Sequence, residues 1–294
     1  MPARSLYVNQ EVAIDPSNAG GAAAGTSGIR YLPVQSASCE VTRPLEDVFS
    51  FGHLGSLART QINVSTCKAD IKTYLANVTG GTGAANYANL LNASLIQTLT
   101  GNALQGTNSK VTVSPNGFTM SGVLSSLGID VAVGQFATAD LSFAGIGEPV
   151  FAAAPTTASF GEQANMPTSF TPVTSTNVAS ELLSGCPNSF KFNLDMPNES
   201  ISCLGGVLSG TQGEVADDFL QVGKPPFKVT VSMEGLAVDL PANPSASLYD
   251  IGKLRIQLPR AQISSRSFNN AVGSVGATYN YVVEDISALF SDIA

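Results

Sequence analysis

The chain of 294 residues is long enough for one large domain or two ordinary ones, each with a core of its own. Only 12% of its residues are charged, and 14 Lys and Arg against 22 Asp and Glu give a formal net charge of -8. This balance argues against a protein that grips nucleic acid through a basic face, although a protein past which DNA slides without sticking would share it.

Residues 1–30 are predicted to form a flexible N-terminal arm or loop. Their stretch DPSNAGGAAAGTSG, residues 15–28, has no bulky side chain and cannot build a core. In an assembly, such an arm becomes ordered by lying across a neighbouring chain. The start of the chain lacks the apolar centre of a signal peptide, and no window approaches the roughly 20 apolar residues of a membrane span. We therefore expect a soluble protein made in the cytoplasm.

Residues 31–146 are predicted to form a β domain with one short helix. Apolar and polar residues alternate from residue 36 and again over 137–143, which is typical of half-buried strands. Between them, residues 87–99 repeat leucine every four positions, which predicts a helix capped by Asn86. Gly134 and Gln135 predict a hairpin turn between two later strands.

Residues 147–225 are predicted to be an insertion or linker, because Pro, Ser, Thr and Ala dominate the start of this stretch without sustained periodicity. Residues 226–294 return to strand patterns, beginning with FKVTVSME and ending in a predicted helix, EDISALFSDI. They form either closing strands of the same domain or a second unit like the first. The predicted class is mainly β, with one or two short flanking helices.

A weak internal similarity links two predicted hairpins. The segment VAVGQFATADLSFAGI, residues 131–146, resembles NAVGSVGATYNYVVEDI, residues 270–286. Two hairpins of similar pattern match this well by chance, so both duplication and insertion stay open.

The segment RPLEDVFSFGHLGSLARTQ, residues 43–61, holds the only histidine of the chain, His53. Nucleophilic catalysis would need a nucleophile beside an oriented base, whereas phenylalanine, leucine and glycine surround His53. We therefore expect a packed turn in which His53 is a surface or interface residue. Four charged side chains of this segment are candidates for intersubunit contacts or, alternatively, for solvated pairs of little value: Arg43, Glu46, Asp47 and Arg59.

The residue patterns favour neither an enzyme nor a cofactor site. The four cysteines form no CxxC pair, and the presence of a single histidine argues against a zinc site. We expect reduced thiols, with a disulfide between Cys186 and Cys203 left open. Carboxylates adjacent in the sequence point to different faces of a strand or a helix, so no such pair need share a proton. The sequence also contains no phosphate-binding GxxxxGKS motif. A metal site built from aspartate alone stays open, but no spacing favours one.

The order of these patterns resembles a known family. The run VQSASCEVTRPLEDVFSFGHLGSLARTQINVSTCKADIKTYL, followed by a helix and then by NGFTMSGVLSSLGIDVAVGQFATADLSFAGIG, resembles tail tube (major tail) proteins and related virion structural proteins of tailed bacteriophages. The resemblance covers residues 31–146 and more faintly 226–286. It implies a β-sandwich whose inner sheet joins those of its neighbours, in rings stacked into a hollow tube for DNA delivery.

The resemblance also implies partners and a location. The protein would contact itself within and between rings, with sheath, baseplate or tail terminator proteins as further partners. DNA would pass through the lumen without specific binding, and the chain would reside in the virion tail after synthesis in the host cytoplasm. The length departs from the family, because one tube sandwich needs only about 150 residues.

Two explanations of the extra length stay open. Either 147–225 is an external insertion, or the tube fold is duplicated and three chains rather than six close a ring. The alternatives to a tube protein are another virion or surface structural protein, such as a decoration protein or a β-sandwich adhesin, and a secreted hydrolase. An adhesin would more often expose aromatic residues for glycan stacking, and this chain has no Trp.

Overall fold

The computed structural model describes most of the chain. Described are residues 11–16, 30–52, 55–61, 64–79, 91–114, 117–151, 169–180, 184–202, 219–239, 248–258, 261–271, 274–283, 286 and 289–293. The fold of this part is mainly β, as the alternating patterns predict, and its strands pair antiparallel throughout.

The strands divide into two runs along the chain. The first run comprises β1 (Glu11–Asp15), β2 (Arg30–Thr42), β3 (Leu45–Phe49), β4 (Ser56–Gln61), β5 (Thr66–Tyr74), β6 (Ala76–Thr79), β7 (Ser109–Ser114), β8 (Thr119–Ala132) and β9 (Thr138–Ile146), with helix α1 (Ala93–Gln105) before β7. The second comprises β10 (Ser169–Pro172), β11 (Val178–Ser180), β12 (Ser184–Asp195), β13 (Asn198–Ser202), β14 (Phe219–Gly223), β15 (Phe227–Asp239), β16 (Leu248–Ile251), β17 (Leu254–Gln257), β18 (Ala261–Ala271), β19 (Ser274–Val283) and β20 (Phe290–Asp292). A 3-10 turn, Ser175–Asn177, precedes β11.

Ten strands form one connected sheet. Eight of them lie side by side in the order β2-β5-β9-β8-β12-β15-β19-β18. The remaining two, β1 and β7, connect the N-terminal part of β2 to the N-terminal part of β8. Because β8 also pairs with β9, the pairings close a circuit through β8, β9, β5, β2, β1 and β7.

The same strand order occurs twice in this sheet. The first unit is β2-β5-β9-β8 and the second is β12-β15-β19-β18, so in each unit the fourth strand along the chain lies between the second and the third. A two-stranded hairpin also follows the first strand of each unit, namely β3–β4 after β2 and β13–β14 after β12. The hairpins that carry the weak sequence similarity, β8–β9 and β18–β19, occupy equivalent positions.

The apolar face of the eight strands is the core of the protein. Phe227, Val229, Val231 and Met233 on β15 are buried, and the residues between them are not, as their alternation predicts. A smaller sheet in the order β11-β16-β17-β20 packs on this face, where Phe290 meets Phe192 edge to face with ring centroids 5.9 Å apart. Helix α1 lies against β8, β14 and β20 and buries Ile96 and Leu99.

Two predictions of helices need correction. The helix predicted over 87–99 begins at Ala93 and runs to Gln105, because the side chain of Asn92 accepts a hydrogen bond from the Leu95 amide and caps the first turn. The predicted cap, Asn86, lies outside the described residues. The C-terminal segment predicted as a helix contains strand β20 instead. There the buried Phe290 and pairing with β17 outweigh the local helical pattern.

Two predicted regions contain strands of the sheet. Within residues 1–30, Glu11–Asp15 is β1, which pairs with both β2 and β7; residues 17–29 lie outside the described part. Within residues 147–225, strand β12 lies between β8 and β15 in the middle of the eight strands. Its alternation of Phe190, Phe192 and Leu194 with polar residues is an ordinary strand signal that the Pro-rich composition before it obscured.

Candidate assembly surfaces

The segment 43–61 forms an antiparallel hairpin, β3–β4, that is a two-stranded sheet of its own. Gly52, at its tip, has φ 93°, which favours glycine. Several large apolar side chains of the hairpin are exposed: Leu45 51%, Val48 46%, Phe49 70%, Phe51 107% and Leu57 52%. Scattered exposed apolar residues are common, but five within 13 residues of one hairpin, which together we call the apolar patch, are a concentration that favours a protein contact.

The charged residues of the hairpin pair within the chain. Arg59 donates two hydrogen bonds to the carboxylate of Asp47, Nε to Oδ1 at 2.7 Å and Nη2 to Oδ2 at 2.9 Å. The two residues face each other directly across β3 and β4. These hydrogen bonds lower the pKa of Asp47 below its ordinary value and raise the pKa of Arg59. The pair therefore links β3 to β4 through side chains, in addition to their backbone pairing.

The remaining predicted contact residues have different surroundings. Arg43 donates to Glu148, with Nε 2.6 Å from Oε1, and so ties the base of the hairpin to the segment after β9. Glu46 is exposed on β3, and no ion pair among the described residues includes it. His53 lies outside the described residues. Intrachain ion pairs thus already include Arg43, Asp47 and Arg59. A neighbouring chain would therefore contact these residues as pairs, on the side of each pair that faces solvent.

A second candidate surface is the polar face of the eight-stranded sheet. Small polar side chains and charged groups alternate with the core residues on seven of the eight strands, whereas on β18 the core-side row itself contains Arg266. Charges of both signs are mixed on it: Glu40, Lys68, Asp70, Lys72, Asp130, Asp140, Lys191, Asp195, Lys228 and Glu234. The face therefore has a small excess of carboxylates over lysines.

Neighbouring strands share hydrogen bonds and ion pairs across this polar face. Lys191 Nζ lies 3.2 Å from Asp130 Oδ2, across the junction between β12 and β8. Ser232 and Thr278 are joined by a 3.0 Å hydrogen bond between their hydroxyls, and Thr230 donates to Asn280 Oδ1 at 2.9 Å. The polar groups thus bond to one another laterally within this face.

The cysteine side chains that the structure describes are free thiols on adjacent strands. Cys67 on β5 is buried, and burial together with the nearby Cys39 raises its pKa to about 12. Cys39 on β2 is half-buried, and burial raises its pKa as well. The open question of a Cys186–Cys203 disulfide concerns side chains outside the described part.

The described residues contain no group of His, Cys, Asp and Glu side chains placed to hold a metal ion. Within the same part of the chain, no helix is long and apolar enough to cross a membrane. Comparison with protein-family models finds no match, and comparison with curated proteins finds no significant relative.

The sequence predicted the turn at residues 43–61 and offered its charged residues as candidates for contacts between chains. It did not identify the exposed apolar side chains of the same hairpin as candidates. The signal was present, since FSF at residues 49–51 places two phenylalanines directly before Gly52, at the tip of the hairpin. Phenylalanine that close to a turn has little core within reach, whereas the arginines and carboxylates satisfy one another locally.

Proposed function

We propose that the protein is a structural, non-enzymatic component of a phage tail tube, which assembles with copies of itself into stacked rings around an open lumen. The proposal joins the resemblance of residues 31–146 to tail tube proteins with the two surfaces described above. DNA passes through the lumen, and the protein holds no cofactor for this task.

The apolar patch on the β3–β4 hairpin is the observation that supports the proposal best. Leu45, Phe49 and Leu57 lie on the strands, and Phe51 lies beyond them near the tip. Leaving such side chains in water costs roughly 25 cal/mol per Å² of apolar surface, so their burial against another chain stabilises an assembly. The hairpin forms a two-stranded sheet apart from the ten-stranded one, so its exposed side chains are available to a neighbouring chain.

The polar face of the eight strands suits the wall of a DNA channel. Its mixed charges and small side chains present no basic groove, so they would neutralise few phosphates and release few counterions. A slight excess of carboxylates weakly repels the DNA backbone. DNA would then slide along this face without being held.

The repeated strand order favours duplication over insertion as the explanation of the chain length. If six four-stranded units surround the lumen, as the resemblance implies for single-unit chains, three chains of two units each close the ring. A chain that provides two units also forms half of the unit-to-unit junctions within itself, which lowers the entropic cost of assembly.

Electron microscopy of the purified protein tests this function. Rings or tubes with an open lumen are expected, and they should fail to retain double-stranded DNA in a filter-binding assay at physiological salt. A monodisperse monomer over the whole accessible concentration range would overturn the proposal. Particles without a lumen would point instead to a different virion or surface structural role.

A further inference from the structure

The junction between the two four-stranded units is a contact of known geometry. Strands β8 and β12 pair antiparallel there, from Ser126 with Asp195 to Ala132 with Ser189. On the core side of the junction, Val131 faces the buried Phe190. On the polar side, Lys191 pairs with Asp130. Counted along the chain, β8 is the third strand of the first unit and β12 is the first strand of the second unit. The junction therefore pairs a third strand with a first strand.

The same two kinds of strand form the two ends of the eight-stranded sheet. At one end lies β2, the first strand of the first unit, whose residues Val34–Thr42 pair with β5. At the other lies β18, the third strand of the second unit, which pairs with β19. Among the described strands, no pairing uses the outer edge of either segment. Unpaired edges of this length favour association with another strand.

Both edges also have incompletely covered apolar side chains. On β2, Ala37, Cys39 and Val41 are half-buried, although they continue the rows of fully buried residues on β5. On β18, Phe268 faces the buried Ala277 of β19 and is nevertheless 53% exposed. Each edge thus lacks the neighbour that would complete its part of the core.

We propose that β18 of one chain pairs with β2 of a second copy of this chain, antiparallel, as β8 pairs with β12 within the chain. This inference rests on the proposed function, because it specifies the contact that closes the ring. Because the pairing joins two different edges, each further copy can add by the same contact. The copies close into a ring when the rotation between neighbouring copies is a whole fraction of a full turn.

The internal repeat fixes the register of this contact. The similar sequences VAVG at 131–134 and NAVG at 270–273 make Ala271 equivalent to Ala132. Strand β2 ends at Thr42 and strand β12 ends at Asp195, each just before its hairpin, so these two residues are also equivalent. Transferring the seven pairs of the β8–β12 junction then gives, for β18 and the second copy's β2, Ser265 with Thr42, Arg266 with Val41, Ser267 with Glu40, Phe268 with Cys39, Asn269 with Ser38, Asn270 with Ala37 and Ala271 with Ser36. In this register Phe268 faces Cys39, and Arg266, whose guanidinium carbon lies 5.9 Å from the centroid of the Phe268 ring, faces Val41.

The occupant of each edge is a second copy rather than the same chain. Among the described strands, no pairing joins β2 to β18 of the same chain. Seven spacings of about 4.8 Å, or about 34 Å measured along the sheet, separate them. Their lengths match, since β18 extends over Ala261–Ala271 and the free part of β2 over Val34–Thr42.

A cysteine substitution tests the register directly, because Cys39 is native. We expect Phe268→Cys to form an interchain disulfide with Cys39 under mild oxidation at alkaline pH, since burial raises the pKa of Cys39. Facing residues of antiparallel strands have Cα atoms about 4.5–5.5 Å apart, within disulfide range. Peptide mapping by mass spectrometry identifies the bond, and Cys39→Ser in the same background should abolish it.

Ser267→Cys is the matched control, because position 267 points to the polar face and away from Cys39. Equal cross-linking of both variants to Cys39 would overturn the proposed register. Rings or tubes without the Phe268→Cys disulfide would overturn the junction and leave the proposed function standing. A disulfide-linked oligomer that forms no lumen would support the junction and overturn the function.

Hydrogen exchange of the unmodified protein gives an independent measurement. We expect the amides of Val34–Thr42 that face away from β5 to be protected in the assembly and exposed in the dissociated chain. Equal protection in both states would show that another segment of the same chain covers this edge, and it would overturn the proposal.

Discussion

The two hairpins that follow the first strand of each unit occupy equivalent positions and differ in what surrounds them. In the second unit, β14 lies against α1, β8 and β9, and Gly223 approaches the carbonyl oxygen of Ala103. In the first unit, the β3–β4 hairpin forms its own sheet and exposes Phe49 and Phe51. One copy of the element therefore stabilises its own chain, while the other has apolar surface available to a neighbour.

The largest expected effect comes from removing the apolar patch. The double substitution Phe49→Ser and Phe51→Ser should abolish rings and tubes in electron micrographs, because the contact loses its two most exposed aromatic groups. The free energy of unfolding of the dissociated chain should change by less than about 0.5 kcal/mol, since both side chains are already in water.

Phe151→Ser is the control for this loss, because Phe151 is 65% exposed outside the hairpin. The control should assemble normally. Loss of assembly in both proteins would mean that exposed phenylalanine in general drives association, and the hairpin would have no special part in it.

A matched pair of glycines tests the packing difference. A Cβ at Gly223 would lie 3.3 Å from the Ala103 carbonyl oxygen, whereas a Cβ at Gly55 in the β3–β4 turn meets no atom within 4 Å. Gly223→Val should therefore lower the free energy of unfolding by about 1–3 kcal/mol. Gly55→Val should change it by less than about 0.5 kcal/mol. Urea unfolding of the dissociated proteins measures both, and equal losses would remove the distinction between the hairpins.

The smallest effect concerns the ion pairs that both hairpins have in common. Arg59 lowers the pKa of Asp47, and Lys224 lowers the pKa of Glu199 by the same kind of hydrogen bond. A carboxyl with a lowered folded-state pKa contributes stability above its unfolded pKa and loses it as the pH falls through the folded one. Both hairpins should therefore loosen only in acid, below about pH 4.

Arg59→Gln should return the pKa of Asp47 toward its ordinary value and leave that of Glu199 unchanged. Carboxyl titration by nuclear magnetic resonance measures both groups. An unchanged Asp47 titration in the variant would contradict the pairing across β3 and β4.

Strands with one buried face were predictable, because each carries its own alternating signal. Phe227, Val229 and Val231 lie on the core side of β15 as expected, and the Gly134–Gln135 turn joins β8 to β9. Elements whose state depends on distant partners were not predictable in this way. The segment around Phe290 has a helical pattern, but β17 and Phe192 determine its conformation.

The candidate site was partly predictable for a similar reason. The sequence shows that Arg43, Asp47 and Arg59 are close along the chain, but it does not show that Asp47 faces Arg59 or that Arg43 reaches Glu148. The repeat was visible only as a faint similarity between residues 131–146 and 270–286. Strand order repeats more clearly than sequence here, because topology tolerates substitution as long as apolar and polar residues keep alternating.

The central claim is that each chain supplies two equivalent units to one ring, and the rotational symmetry of the ring tests it most directly. A cryo-electron microscopy reconstruction of the assembled protein should show three chains around the lumen, with eight neighbouring strands from each and an antiparallel contact between β18 and β2. Six chains around one lumen, or a ring in which β18 meets no strand of its neighbour, would contradict the account.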